Sequence, residues 1–153
     1  MGTSSSAPDQ ATLVALRRLR AELRESMSAL ELALAVPAPS GQVRWAERVQ
    51  VALVELSADF REHIDVTEGH DGLYVDILAT APRLSDAVAR LIREHAQITD
   101  LVDDLLARLT PESHDVDKVR GLGTTLLGLL VSHRRQASDL VYEAYEFDVG
   151  GET

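Results

Sequence analysis

Apolar residues recur every three or four positions along nearly the whole chain, the spacing that places them on one face of an α-helix. No segment of useful length alternates apolar and polar residues as a half-buried strand would. The pattern predicts four long amphipathic helices, at about residues 9–36, 43–79, 84–109 and 115–147. Because short loops join them, we expect an all-α, antiparallel up-down four-helix bundle.

Proline and glycine mark the ends of the predicted helices. Pro37 ends the first helix, since proline cannot continue it. Gly69 and Gly72 interrupt the second helix, where each interior glycine costs about 1 kcal/mol relative to alanine, and the apolar pattern resumes over 73–79. Pro82 suits the first turn of the third helix. We therefore expect turns after the first two helices and a kink or short break within the second.

The two ends of the chain lack the helical pattern. Residues 1–9 are rich in serine and residues 148–153 contain two glycines, so we expect a disordered amino-terminal lead and a flexible carboxy-terminal tail. The predicted bundle then occupies residues 10–147, a length suited to one domain with its own core.

Composition and charge exclude several classes of function. The chain has no cysteine, which rules out a disulfide framework or a thiolate metal site. Its net charge of −10 argues against a nucleic-acid partner, because phosphate binding needs a basic face. No apolar run reaches the roughly 18 residues that span a bilayer, so we expect no membrane partner. Without a signal-peptide pattern at the start, a cytoplasmic location is favoured. The oligomeric state is left open.

A short motif with a histidine near its centre occurs twice. Residues 61–68 and 93–100 both read Arg-Glu-His-x-x-(Val/Ile)-Thr-(Glu/Asp), and a looser copy follows His133. His63, His95 and His133 each fall on the apolar face of a helix. In an antiparallel pair, residues equally distant from the turn lie level, and the midpoints between these histidines fall beside the connecting turns. We therefore expect the three imidazoles to meet in one layer of the core.

Three inward imidazoles in one layer point to a metal ion, since imidazole is a common ligand of zinc and non-haem iron. Glu68, five residues after His63, could join them if the backbone distorts at Gly69. The alternative is a structural layer in which neighbouring polar side chains form hydrogen bonds with the histidines. Those side chains are Thr67, Thr99, Asp100 and Arg20.

Two further residues have open roles. Arg20 falls near the level of the histidines on the apolar face of the first helix, where its charge would repel a cation. Leu19 could take the buried position instead and let the Arg20 side chain extend to solvent. His70 lies between two glycines and is typical of a turn residue, with gating of the site as the alternative.

Several stretches carry a resemblance to a known family. They are 60–63 followed by 67–69, 72–78 leading to 81–84, 91–95, and His133 in the last helix. In these stretches the chain resembles the hemerythrin-like, or HHE cation-binding, family over about residues 10–147. The resemblance implies an up-down bundle enclosing two non-haem irons, and a protein that carries, senses or reacts with dioxygen, nitric oxide or peroxide, or handles iron. It also implies that His63, His95 and His133 are metal ligands.

The sequence departs from the family pattern on every long helix. The first helix has no histidine, and Thr67 stands where the second should carry a glutamate, with Glu68 one position late. Thr99 stands at a second histidine position, and the bridging carboxylate of the last helix would fall at Ala137 or Ser138. Bridging carboxylates hold two irons together, so we expect a mononuclear or altered di-iron site, with zinc as the alternative metal. The predicted ligands are His63, Glu68, His95 and His133.

These observations support three hypotheses about function. The first is a hemerythrin-like metal protein that binds or senses oxygen, nitric oxide or a related redox ligand, so that a small diatomic molecule is its partner. The second is a metal-free bundle that works as a protein-interaction or regulatory module. The third is a metal-dependent enzyme whose small substrate enters near Gly69 and Gly72. The sequence alone does not decide whether the protein is an enzyme.

Overall fold

The computed structural model describes residues 10–38, 42–110 and 115–145, and these residues are helical nearly throughout. The elements are α1 (Gln10–Ala35), α2 (Gln42–Glu68), a short α3 (Leu73–Thr80), a 3-10 turn (Pro82–Leu84), α4 (Ser85–Arg108) and α5 (Val116–Tyr145). No strand occurs in these ranges, so the predicted all-α class and its four long helices are confirmed. The predicted lead at 1–9 and tail at 148–153 lie outside the described residues.

The long helices pack in neighbouring pairs. α1 lies mainly against α2 and α4 mainly against α5, with smaller contacts between α1 and α5 and between α2 and α4. This pairing is compatible with the predicted antiparallel up-down bundle. Along the seam between α1 and α5, Arg20 contacts Ser138 while Leu34 lies by Gly123, so residue numbers rise on one helix as they fall on the other.

The predicted break in the second helix is confirmed. α2 ends at Glu68, and the Gly72 amide donates to the Gly69 carbonyl at 2.8 Å in a tight turn. A Cβ atom added at Gly72 would lie 2.7 Å from the carbonyl oxygen of Thr67 and 2.8 Å from that of Val66. Only glycine therefore fits this turn, which separates α2 from α3 and brings the chain back over the bundle.

The buried apolar side chains form two clusters along the bundle. The larger includes Leu30, Leu53, Leu105 and Leu126, and the smaller includes Tyr74, Ile77, Leu91 and Leu140. On α4, His95 falls between Leu91 of the smaller cluster and Ile98 of the larger one. A polar layer thus separates two leucine-rich regions of one core.

The open question about α1 is answered by burial. Leu19 is 3% exposed and fills the core position, while Arg20 is only partly buried. Over the described residues, no helix combines the length and hydrophobicity needed to cross a membrane.

Candidate metal centre

The three predicted histidines meet in one layer of the core, contributed by α2, α4 and α5. The ring centroids of His95 and His133 are 4.7 Å apart, those of His63 and His95 5.1 Å, and those of His63 and His133 5.5 Å. One ring nitrogen of each histidine lies within 4.8 Å of the corresponding atoms of the other two. The level placement expected from helical phase and turn positions is confirmed.

Aromatic rings hold this layer in place. The Phe60 ring stacks on His63 with centroids 5.5 Å apart and meets His95 edge-on at the same distance. The Tyr74 ring stacks on His95, with the ring centroids 6.0 Å apart. Both His95 and His133 are 2% exposed. The aromatic rings therefore pack against the imidazoles and help to fix their orientation, and His63 is the partly buried member of the three.

Two carboxylates bind the outer nitrogens of the rings. Glu68 Oε2 contacts Nδ1 of His95, and Glu94 Oε1 lies 2.7 Å from Nδ1 of His133. A carboxylate can only accept a hydrogen bond, so Nδ1 carries the proton in both rings and Nε2 keeps its lone pair. Carboxylate–histidine pairs of this kind fix the tautomer and raise the basicity of metal-binding imidazoles.

The inner nitrogens have no partner. Nε2 of His63, His95 and His133 is buried in each case, with no hydrogen bond to any group in the described part of the chain. A buried polar atom left unsatisfied costs about 1–3 kcal/mol, and the cost recurs three times in this layer. A metal ion would accept all three lone pairs at once.

The spacing of the donor atoms suits one ion. Nitrogens bound to a single ion at about 2.1 Å in tetrahedral geometry are roughly 3.4 Å apart. The ring nitrogens of the three histidines lie within 4.8 Å of one another. Each ring therefore has to move toward the centre of the site by less than about 1 Å to reach that geometry. The donor set is therefore compatible with a mononuclear site.

Burial keeps the imidazoles neutral, which is the form that binds metals. Desolvation, followed by the charges of His95, His133 and Arg20, lowers the pKa of His63 from 6.5 to about 3. Desolvation and His133 lower the pKa of His95 to about 3 as well, although Glu68 contacts its ring. Burial also lowers the pKa of His133 and outweighs the opposing effect of Glu94.

Glu68 lies at the site but beside the ligand atoms. It is the last residue of α2, and its carboxylate reaches His95 Nδ1 rather than the inner nitrogens. Glu68 is not among the mutually close ligand atoms of the histidine group, and the second such group in the described chain, Glu22, Asp59 and Glu62, does not contain it either. Burial raises the pKa of Glu68, and His133 opposes that rise. Its direct ligation of a metal stays a prediction, whereas its contact with His95 is a feature of this structure.

Glu94 is a residue of the site that the sequence analysis missed. It lies off the apolar face of its helix and immediately precedes His95, yet it bonds to His133 on the neighbouring helix. The repeated Arg-Glu-His motif was the available signal, because a residue next to an inward histidine is turned by only about 100° from it.

The positions where the resemblance expects further ligands have other partners here. Arg20 Nη1 donates to Ser138 Oγ at 2.5 Å. This bond joins α1, the helix that lacks the expected histidine, to one of the two positions on α5 where a carboxylate would be expected. Thr67 Oγ1 donates to the carbonyl oxygen of His63 at 2.8 Å, within its own helix. Arg20 also contributes to the lowered pKa of His63, so positive charge lies on the α1 side of the layer.

The hydrogen bonds of the alternative structural layer do not form among the described residues. The rings bond to Glu68 and Glu94, and no bond joins them to Thr67, Thr99 or Asp100. His70 is exposed in the turn after α2, as expected of a turn residue. The layer therefore retains three unsatisfied nitrogens rather than a closed network.

No protein-family model, no curated protein and no solved structure matches this chain. The fold and the site define a class of protein: a helical protein whose core contains a three-histidine site capable of holding a metal ion.

Proposed function

We propose that the chain is a metal-binding protein of hemerythrin-like type, an antiparallel up-down bundle in which His63, His95 and His133 hold one metal ion. Two observations carry the proposal. One ring nitrogen of each of the three histidines lies within 4.8 Å of those of the other two, and the Nε2 atoms of the same rings are buried without a hydrogen-bond partner among the described residues. In a buried structural histidine both ring nitrogens form hydrogen bonds, whereas in a histidine that binds a metal one ring nitrogen stays free for the metal.

Several features support one ion rather than two. In the histidine group the close donor atoms are all imidazole nitrogens, whereas pairs of irons are held together by carboxylate bridges. A second group of close ligand atoms, the carboxylates of Glu22, Asp59 and Glu62, shares no member with the histidine group. Arg20 and Ser138 bond to each other on the helices where the missing ligands are expected. The guanidinium charge on that side opposes a second cation. We therefore propose that the site holds a single metal ion.

Non-haem iron is the proposed metal, on the strength of the resemblance, and zinc is the alternative because imidazole donors suit both. His63, His95 and His133 would hold the ion, which would supply a Lewis-acid site for a small diatomic molecule such as oxygen or nitric oxide. The residues of the chain orient the ligands and exclude water. Glu68 and Glu94 fix two imidazoles from outside, while Phe60 and Tyr74 cover the rings.

Metal analysis of protein expressed in iron-supplemented medium tests the proposal. We expect close to one metal per chain, and less than about 0.2 per chain after reconstitution with either iron or zinc would reject it. His95→Ala should lower the metal content sharply, while His70→Ala, a histidine removed from the exposed turn, should leave it unchanged. Unchanged metal in His95→Ala would place the ion elsewhere.

An absorption spectrum of the iron-loaded protein, with and without oxygen or nitric oxide, tests the nuclearity and the ligand. Oxo-bridged di-iron bands would contradict the single-ion site. A spectrum that neither gas changes would contradict the proposed binding of diatomic ligands while leaving metal binding intact.

A further inference from the structure

A groove runs along the outer seam between α1 and α5, and none of the three histidines lines it. Its volume is about 760 Å³, within the range of roughly 300–1,000 Å³ typical of small-molecule sites. Its apolar wall consists of Met27, Leu34, Leu127 and Val131. A Cβ atom added at Gly128, which also lines the groove, would have nothing within 4 Å, so the space in front of it is open.

The charge around this groove is positive and concentrated at one end. Arg24, Arg134 and Arg135 line it, and Glu31 is the one acidic residue among the described residues that line it. Arg20 contacts Ser138, and residue numbers run in opposite directions on α1 and α5. Arg24, four residues after Arg20, is therefore level with Arg134, four residues before Ser138. The three arginines therefore meet at one end of the groove, on a chain whose net charge is −10.

The arginine at the opposite end is already engaged. Arg120 Nε donates to the Leu34 carbonyl at 2.8 Å, and its Nη2 donates to the Val36 carbonyl at 2.6 Å. Its guanidinium also lies 5.2 Å from the ring centroid of Trp45. In contrast, Arg24, Arg134 and Arg135 have no hydrogen bond or ion pair to another described residue. The groove thus has one cationic end with free donors and an apolar remainder.

We propose that this groove binds a single-chain amphiphile with an anionic head, in its simplest form a fatty acid. The carboxylate head pairs with the arginine cluster, where bidentate guanidinium contacts are available. The alkyl chain lies along Met27, Leu127 and Val131 and passes the open face of Gly128. An acidic amphipathic helix fits less well, because it would need cations along the whole groove, which spans about 22 Å of α5.

Titration of the purified full-length protein with dodecanoate, kept below its micelle concentration and followed by calorimetry, tests this proposal. We expect saturable binding of one molecule per chain. Dodecyltrimethylammonium, which has the same chain and a cationic head, should bind at least about tenfold more weakly. Arg135→Glu should weaken dodecanoate binding by a similar factor. Equal binding of the two amphiphiles, or binding without saturation, would overturn the proposal.

A matched pair of glycine variants locates the site. Gly128→Leu places a side chain in the groove, and Gly121→Leu places the same side chain on the same helix outside it. An added Cβ atom meets nothing within 4 Å at either position. Both changes raise helix propensity, so neither is expected to unfold the protein. Gly128→Leu should abolish dodecanoate binding and Gly121→Leu should retain it. If Gly128→Leu binds like the wild type, the groove is not the site. The result is independent of metal binding, since no histidine is involved.

Discussion

Replacing His63 with leucine should make the metal-free protein more stable. His63 Nε2 is buried without a hydrogen-bond partner among the described residues, and unlike His95 and His133 its ring has no carboxylate contact there. Leucine removes the unsatisfied atom, has a similar volume, and can pack on the Phe60 ring that now stacks on the histidine.

The size of the effect follows from two opposing contributions. Removing a buried unsatisfied polar atom gains about 1–3 kcal/mol, and repacking after a volume-conserving change costs less than about 1.5 kcal/mol. We expect a net increase of about 1 kcal/mol in the free energy of unfolding. Metal should reverse the order, because an ion at 100 times its dissociation constant stabilises the wild type by about 2.7 kcal/mol and the variant by much less.

Urea denaturation followed by far-ultraviolet circular dichroism measures both states, first with a chelator and then with saturating metal. His70→Leu, in the exposed turn, is the control and should stay within about 0.5 kcal/mol of the wild type. If metal-free His63→Leu is less stable than the wild type by more than about 1 kcal/mol, the imidazole stabilises the fold by itself and the reasoning fails.

Two more predictions concern protonation and the outer carboxylates. Between pH 7 and pH 5 the metal-free protein should lose about 4 kcal/mol of stability, because the unfolded chain protonates His63 and His95 near pH 6.5 while burial lowers their folded pKa to about 3. The loss continues as the pH falls toward 3, and urea midpoints that do not move between pH 7 and 5 would contradict it. Glu94→Gln should weaken metal binding about 10- to 100-fold in competition with a chromophoric chelator, since the Nδ1 proton of His133 loses a charged acceptor. Glu55→Gln, the same change at an exposed residue of α2 outside both groups of close ligand atoms, is the control, and equal effects of the two would show that Glu94 has no specific role.

The histidine layer could be predicted from sequence because two simple rules determine it. The 3-4 spacing of leucines fixes which face of each helix is buried, and that places His95 inward along with Leu91 and Ile98. The turn positions then fix the level at which residues of neighbouring helices meet. Neither rule depends on the details of side-chain packing, so both apply despite the break between α2 and α3.

The contacts of Glu94 and Arg20 could not be predicted in the same way. Glu94 lies off the apolar face, and its hydrogen bond depends on the separation of α4 from α5 and on a side-chain rotamer. At positions 19 and 20, apolar spacing permits either residue to be buried. Packing favours Leu19, because burying a guanidinium would require partners for five donors.

The polar layer between two leucine-rich clusters also determines how the helices align. A shift of one helix by seven residues, about 10 Å, would bring leucine against leucine again over much of the core, so the apolar contacts discriminate poorly between alignments. Histidines from three helices are level in one alignment only. In any other alignment, His95 and His133 would lose the carboxylates of Glu68 and Glu94 on the neighbouring helices and would lie against hydrocarbon. The same side chains that form the candidate metal centre therefore favour a single register for the bundle.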